Sequence, residues 1–174
     1  NETLLTNFVN TYVLSSQRMK TNQRLFGRQE WRKTQQVELR NFVHEAFQRY
    51  VEKCPWNRNL DPEKDLLPIV PCLHGTELLV ANSIAETGFA NLSSLDAGYF
   101  GKGIYFTSHA LYTIPYISTR KNPCLIISWI LPGNVYPVIE QPTLSAGSNP
   151  DSLMGAALKS GFNSHYVLTT AKGY

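Results

Sequence analysis

Cysteine is scarce in this chain, and what there is excludes two common architectures. Only three occur in 174 residues, Cys54, Cys72 and Cys124. That odd number, with no CxxC or CxxH pair, argues against a disulfide framework and a zinc site and for a reducing compartment, cytoplasm or nucleus. Long apolar runs are missing too. The densest, Cys124 to Leu131, is strand-sized against the ~20 residues a membrane span needs, so no membrane partner is expected. Neither GxxxxGK[ST] nor GxGxxG is present. His44, His109 and His165 are not at metal-ligand spacing, so no metal is expected and each is read as a surface or core-edge residue. The sequence opens on Asn1 and is read as an excerpt, with any targeting signal outside it.

What is present is an ordinary globular balance, 43% apolar and 17% charged, enough for one domain spanning residues 1–174 with its own core. The net charge of +3 is unevenly placed: residues 18–40 hold Arg18, Lys20, Arg24, Arg28, Arg32, Lys33 and Arg40 against Glu30 and Glu38. Lys20, Arg24, Arg28 and Arg32 fall at four-residue steps, which would form a nucleic-acid stripe on an unbroken helix. Gly27 interrupts the run and Leu25 and Phe26 look like core anchors, so a solvated face is the preferred reading.

The apolar pattern predicts a mixed chain. Residues 4–14 suit a helical turn and then a strand. From Arg28 to Glu52, with Leu39, Val43, Phe47 and Tyr50 or Val51 at helical spacing, the pattern predicts a long amphipathic helix ended at Cys54-Pro55. Asn57 to Pro68 reads as a loop. Short elements follow: a strand from Ile69 to Leu73, and a helix from Thr76 to Glu86 with Thr76 as N-cap and Gly88 beyond its end. A Gly- and Ser-rich loop covers 90–103, then a strand Ile104–Phe106 and a helical turn from Ser108 that ends against Pro115. Cys124 to Leu131 predicts a strand buried on both faces, and Val135 to Ile139 and His165 to Thr170 are two more. One long helix followed by short strands indicates an α+β fold.

Two stretches are candidates for chemistry. His74-Gly75-Thr76 sits where a strand gives way to a helix, and glycine there lets a flat ligand approach the main chain. Gly98-Tyr-Phe-Gly-Lys-Gly-Ile-Tyr-Phe106 is a glycine-rich turn feeding an aromatic segment. Alone, each reads as ordinary structure: a strand-end histidine and a hairpin turn. Cys72, two residues before His74, reads as a half-buried packing site rather than a nucleophile.

Together they are more specific. LHGT (Leu73 to Thr76), IAETGF (Ile84 to Phe89), GYFGKGIYF (Gly98 to Phe106), Tyr116 eleven residues after Tyr105, and GNVY (Gly133 to Tyr136) resemble the catalytic domain of the poly(ADP-ribose) polymerase family, closest in look to its mono-ADP-ribosylating members. Upstream, Ser15 to Val37 is similar to the strand, turn and helix that open that domain. The resemblance implies the diphtheria-toxin-like ADP-ribosyltransferase fold, with split antiparallel sheets around an NAD⁺ cleft and a long N-terminal helix. It also implies NAD⁺ as co-substrate.

By the same resemblance His74 would bond the adenosine ribose hydroxyl and Gly75 the nicotinamide carboxamide through its main chain. Tyr116 would stack on the nicotinamide ring with Tyr105 closing the other side, a setting that suits a flat electron-poor ring. Thr76 belongs to the same cofactor-binding set. Thr113 stands where the family often has a serine, and Lys102 is structural. The loop Ala90 to Ala97 would lie over the cofactor, with Ala90 in place of an arginine that some relatives carry.

Breaking the nicotinamide–ribose bond builds positive charge on the ribose, as in glycoside hydrolysis, and calls for a rigidly held leaving group and nearby negative charge. The family supplies that charge from a glutamate on a late strand, which completes its His-Tyr-Glu set. The resemblance places this strand beyond GFNSHYV (Gly161 to Val167), while Glu140 follows GNVY too closely and Asp151 lies in a loop. The expectation is a domain whose catalytic strand is cut off or disordered, or whose glutamate is replaced. An acceptor protein is the expected partner and a nucleic-acid end the lesser choice. The alternative of another class is a weak or inactive transferase-like module that binds a partner or NAD⁺; retention of both His74 and Tyr105 favours the enzyme.

Overall fold

The computed structural model describes residues 1–21, 30–34, 36–57, 67–90, 98–140 and 153–169. The chain opens with helix α1 (Glu2–Thr21), capped by Asn1, whose Oδ1 accepts from the N–H of Thr3 and Leu4 while its Nδ2 donates to the Glu86 carbonyl. A strand over this stretch is not what forms. Apolar residues recur in pairs at 4/5, 8/9 and 12/13, a helical and not an alternating period. Leu4, Phe8 and Tyr12 are half-buried and Ser16 and Met19 buried, while Leu5, Val9 and Val13 face solvent.

A short 3-10 turn (Glu30–Lys33) precedes α2 (Val37–Lys53). The helix expected from Arg28 starts nine residues later because Gln36 adopts the left-handed region (φ 62°), which no continuous α-helix passes through. Its inward stripe is Arg40, Val43 and Phe47, and it stops at Cys54 before Pro55 as expected. Since α1 ends at Thr21 and Arg32 lies in the 3-10 turn, Lys20 and Arg32 share no helix; Arg24 and Arg28 lie outside the described residues.

Strand β1 (Val70–Glu77) pairs antiparallel with β2 (Pro123–Ile130) through eight residues. It continues through His74-Gly75-Thr76 rather than ending before them, so Thr76 is no helix cap: it pairs with Cys124, and α3 (Leu78–Thr87) is preceded by Glu77. Gly88 closes α3 with φ 86°, as its position suggested. Ile104 to Phe106 forms no strand; that segment meets β1 only through a Leu73–Thr107 bridge. Pro115 starts a helix instead of ending one, standing in the first turn of α4 (Ile114–Ile117) after a 3-10 turn (Ala110–Thr113).

Burial along β2 alternates, with Leu125, Ile127 and Trp129 exposed, so the strand is not buried on both faces. An all-apolar run suggested a parallel sheet's interior, but a two-stranded antiparallel ladder covers one face only. Trp56 packs edge-on against Trp129 at 4.7 Å. The second sheet joins β3 (Val135–Val138) to β4 (Ser164–Val167) and is parallel, which corrects the expectation that both sheets are antiparallel. Beneath it lies the core of Trp31, Tyr136, Val138 and Leu153, with Val37, Phe100, Phe162 and Val167 against it. Arg40 donates to the Pro137 carbonyl at 2.8 Å and lies over the Tyr136 ring, which ties α2 to β3. The α+β class holds. The loop read at Ala90 to Ala97 beyond its first residue, most of that at Asn57 to Pro68, and Asp151 lie outside the described residues.

Candidate active site

Side chains alternate along β1, so His74 and Gly75 face opposite sides of the sheet. On the side shared with Val70 and Cys72, the His74 ring meets Phe89 at 5.3 Å and Phe106 at 5.7 Å, and those two phenyl rings meet each other at 5.1 Å. His74 Nδ1 lies 2.9 Å from the Tyr105 carbonyl oxygen. A carbonyl only accepts, so Nδ1 carries the hydrogen, and Nε2 of the neutral ring is left as an acceptor suited to a hydroxyl.

On the opposite side Gly75 is pressed against the 3-10 turn Ala110–Thr113 and α4. A Cβ there would lie 2.7 Å from Ile117 Cγ2 and 3.0 Å from Thr113 Cβ, so the glycine is required by packing as well as by any ligand. Thr113 is buried and its hydroxyl donates to the Ala110 carbonyl at 2.6 Å, which leaves Oγ1 lone pairs as acceptors.

The main chain of Gly75 is the informative part. Leu73 exchanges both its backbone hydrogen bonds with Thr107, at 2.7 and 2.9 Å, on the edge of β1 away from β2. In an antiparallel ladder, N–H and C=O groups two residues apart point to the same edge. Gly75 therefore turns its N–H and C=O outward beside Leu73, just past the bridge, and no backbone partner meets them there among the described residues.

The Gly98–Tyr105 turn flanks that edge and is held by side chains. The Tyr105 hydroxyl donates to the Gly101 carbonyl at 2.7 Å and accepts from the Phe100 N–H at 2.9 Å. Gly98 has φ 63°, and a Cβ there would lie 2.1 Å from the Gly101 oxygen, so only glycine closes this turn. The Lys102 N–H donates to the Ala156 carbonyl, a structural part for its main chain, while its side chain is exposed. Tyr116 is exposed on α4 and its ring lies 6.0 Å from that of Tyr112. Burial first, then a hydrogen bond with Tyr116, pushes the Tyr112 phenol up to about 12, with Glu140 and Thr169 in reach of the same group.

The expected set thus falls into three contacts: His74 with the Tyr105 backbone, Gly75 with Thr113, and Tyr116 with Tyr112. Thr76 is half-buried in β1 on the His74 side. A cavity of about 410 Å³ lies on the His74 side of the sheet, between β1, β4 and the 100–109 segment, and shares only Tyr105 with that set. Sequence reasoning missed Phe89 and Phe106 around His74, and it missed His165, whose ring bonds the Phe100 carbonyl at 2.8 Å. Phe89 and Phe106 close the IAETGF and GYFGKGIYF stretches but receive no role of their own there, and nothing short of the fold marks His165 as a partner of Phe100. No group of three or more His, Cys, Asp or Glu side chains suited to a metal occurs among the described residues. No helix among them is long and apolar enough to cross a membrane.

The family model of the poly(ADP-ribose) polymerase catalytic domain matches residues 26–169, and the chain belongs to that family. The match runs through β4, past the stretch GFNSHYV. No curated protein and no solved structure matches the chain.

Proposed function

We propose that this member of the poly(ADP-ribose) polymerase family binds NAD⁺ across the outer edge of β1 and transfers its ADP-ribose to a protein side chain. The observation that carries the reading is the pair of outward-facing main-chain groups on Gly75. A carboxamide has one donor face and one acceptor, and an N–H and C=O from a single residue match it as a strand would match its neighbour. The buried Thr113 side chain packs beside that glycine, and its hydroxyl, which donates to the Ala110 carbonyl, keeps lone pairs that we assign as the acceptor for the remaining amide hydrogen.

With the carboxamide there, Tyr105 and the exposed Tyr116 serve as aromatic walls for the nicotinamide ring, and the Nε2 acceptor of His74 takes a ribose hydroxyl. Holding the leaving group in one plane by two main-chain bonds is the positioning that scission of the nicotinamide–ribose bond needs. NAD⁺ supplies the ADP-ribosyl group and the nicotinamide leaving group; every interaction named belongs to this chain. The motifs look most like those of the mono-ADP-ribosylating members, so mono-ADP-ribosylation is the activity we assign.

The test is transfer from labelled NAD⁺ into acid-precipitable protein. His74→Ala or Tyr116→Ala abolishes incorporation while far-ultraviolet circular dichroism stays unchanged. Full incorporation in either variant would show the residue assignment to be wrong. Incorporation into RNA or DNA but not protein would move the acceptor class.

A further inference from the structure

His165 in β4 has a hydrogen-bond pattern that only one form of its ring satisfies. Its Nδ1 lies 2.8 Å from the Phe100 carbonyl, so Nδ1 carries a hydrogen. The Lys159 N–H donates to Nε2 at 3.1 Å, so Nε2 carries none. The ring is neutral, with its tautomer set by two backbone groups from different segments. Phe100 is also the residue whose N–H reaches the Tyr105 hydroxyl. One residue therefore links the His165 ring to the tyrosine, through its C=O on one side and its N–H on the other.

The surroundings tighten this link. Gly101 (φ 107°) lies flat against the imidazole, and a Cβ there would stand 3.2 Å from Nδ1 and 3.3 Å from Cε1. The turn makes two further bonds to the loop before β4, from the Lys102 N–H to the Ala156 carbonyl and from the Gly155 N–H to the Gly98 carbonyl. The charged groups around the ring are cationic. Lys159 faces it from the loop and lies over the Tyr136 ring, which is itself 5.6 Å from His165. Arg40 approaches Tyr136 from α2, and Lys102 is exposed on the turn.

We propose that His165 is a positioning residue for Tyr105: as a neutral imidazole it ties the Gly98–Tyr105 turn, at Phe100, to the loop before β4, at Lys159, and its protonation breaks that tie at the Lys159 end and weakens NAD⁺ binding. The inference rests on the reading of Tyr105 as a wall of the NAD⁺ site. Protonation puts a hydrogen on Nε2 where the Lys159 N–H now donates, so two donors face each other and the bond is lost. Burial first, and Lys159 as well, hold the ring's pKa below the ordinary histidine value against the opposing pull of the Phe100 carbonyl. A lowered folded-state pKa means that this contribution to stability is complete above the unfolded histidine pKa. It is lost as pH falls through the lower folded value.

The experiment follows the His165 imidazole nitrogens by NMR as pH is lowered, together with exchange of the Lys159 amide and with nicotinamide binding by calorimetry. The expected results are an Nδ1-protonated tautomer at neutral pH and Lys159 exchange that accelerates as the ring titrates. Nicotinamide affinity should fall over the same pH interval. His165→Gln, which loses the donor to Phe100, binds about fivefold more weakly at neutral pH, the factor one neutral hydrogen bond typically contributes. His165→Asn, which keeps a donor near the Nδ1 position, recovers most of that loss and shows no such pH response. An Nε2-protonated tautomer, or wild-type pH profiles in both variants, overturns the proposal. If the wild type binds no nicotinamide at neutral pH, the site reading fails, and the nitrogen and exchange data still decide whether His165 anchors the turn.

Discussion

The two halves of the candidate site are held in different ways. The His74-Gly75-Thr76 half lies in a regular antiparallel ladder, with each residue paired to β2. The Gly98–Phe106 half has one backbone bridge to that sheet and two backbone bonds to the loop before β4, and its shape is otherwise set by side chains reaching main-chain groups: Tyr105 to Phe100 and Gly101, and His165 to Phe100. A ladder shares its strength over many bonds, whereas a turn closed by single side chains concentrates it in a few residues. The difference teaches that an atom added in the ladder half meets side chains that can be relieved, while in the turn half it meets fixed backbone, and one charged ring loosens what holds the turn.

The sharpest way to break this comparison is at Gly98. Gly98→Ala sets a Cβ 2.1 Å from a backbone oxygen at positive φ, and the backbone cannot step aside as a flexible side chain does. A loss of roughly 3 kcal/mol is expected in urea unfolding; a loss under about 1 kcal/mol would mean that the turn is not held as described.

Gly75→Ala probes the ladder half. Its nearest obstacles are side chains, Ile117 Cγ2 at 2.7 Å and Thr113 Cβ at 3.0 Å. The expected cost is about 2 kcal/mol from overpacking, and Ile117→Ala in the same chain should recover part of it. A double-mutant cycle that finds the two changes additive would show that they do not touch.

Smaller still is Tyr105→Phe, which deletes one hydroxyl and leaves the Phe100 N–H and the Gly101 carbonyl without that partner. About 1 kcal/mol of stability should go, with nicotinamide binding weakened alongside it. Equal stability and affinity in the variant would place the hydroxyl outside the account.

The parts legible in the sequence were those with a local cause. Val43 and Phe47 on the buried stripe of α2, its stop before Pro55, the positive φ of Gly88 and the α+β class all follow from spacing or from one residue's backbone preference. Leu39, expected on that stripe, is exposed and Arg40 is buried instead. The HGT and GYFGKGIYF stretches named the right neighbours: the Leu73–Thr107 bridge sets them side by side. What was not legible depends on partners distant in the chain. The apolar run of β2 gives no hint that a single ladder leaves Ile127 exposed, and Gln36 gives none that it will break the helix before α2. His165 reads in sequence as a surface or core-edge histidine until Phe100, sixty-five residues away, closes on its ring. The resemblance reads Ser15 to Val37 as a strand, a turn and a helix, and the first of these residues, Ser15 to Thr21, instead continue α1 in the four-residue recurrence set upstream.

The central claim is that the edge of β1 at Gly75 takes the nicotinamide end of NAD⁺. The most direct test is thermal unfolding with and without nicotinamide, in the wild type and in Tyr116→Ala, whose exposed side chain can be removed without opening the core. At a hundred times its dissociation constant the ligand should stabilise the wild type by about 2.7 kcal/mol, and the variant's stabilisation should vanish. A folded wild type with no shift at saturating nicotinamide, or a variant shifted as much as the wild type, would contradict the account.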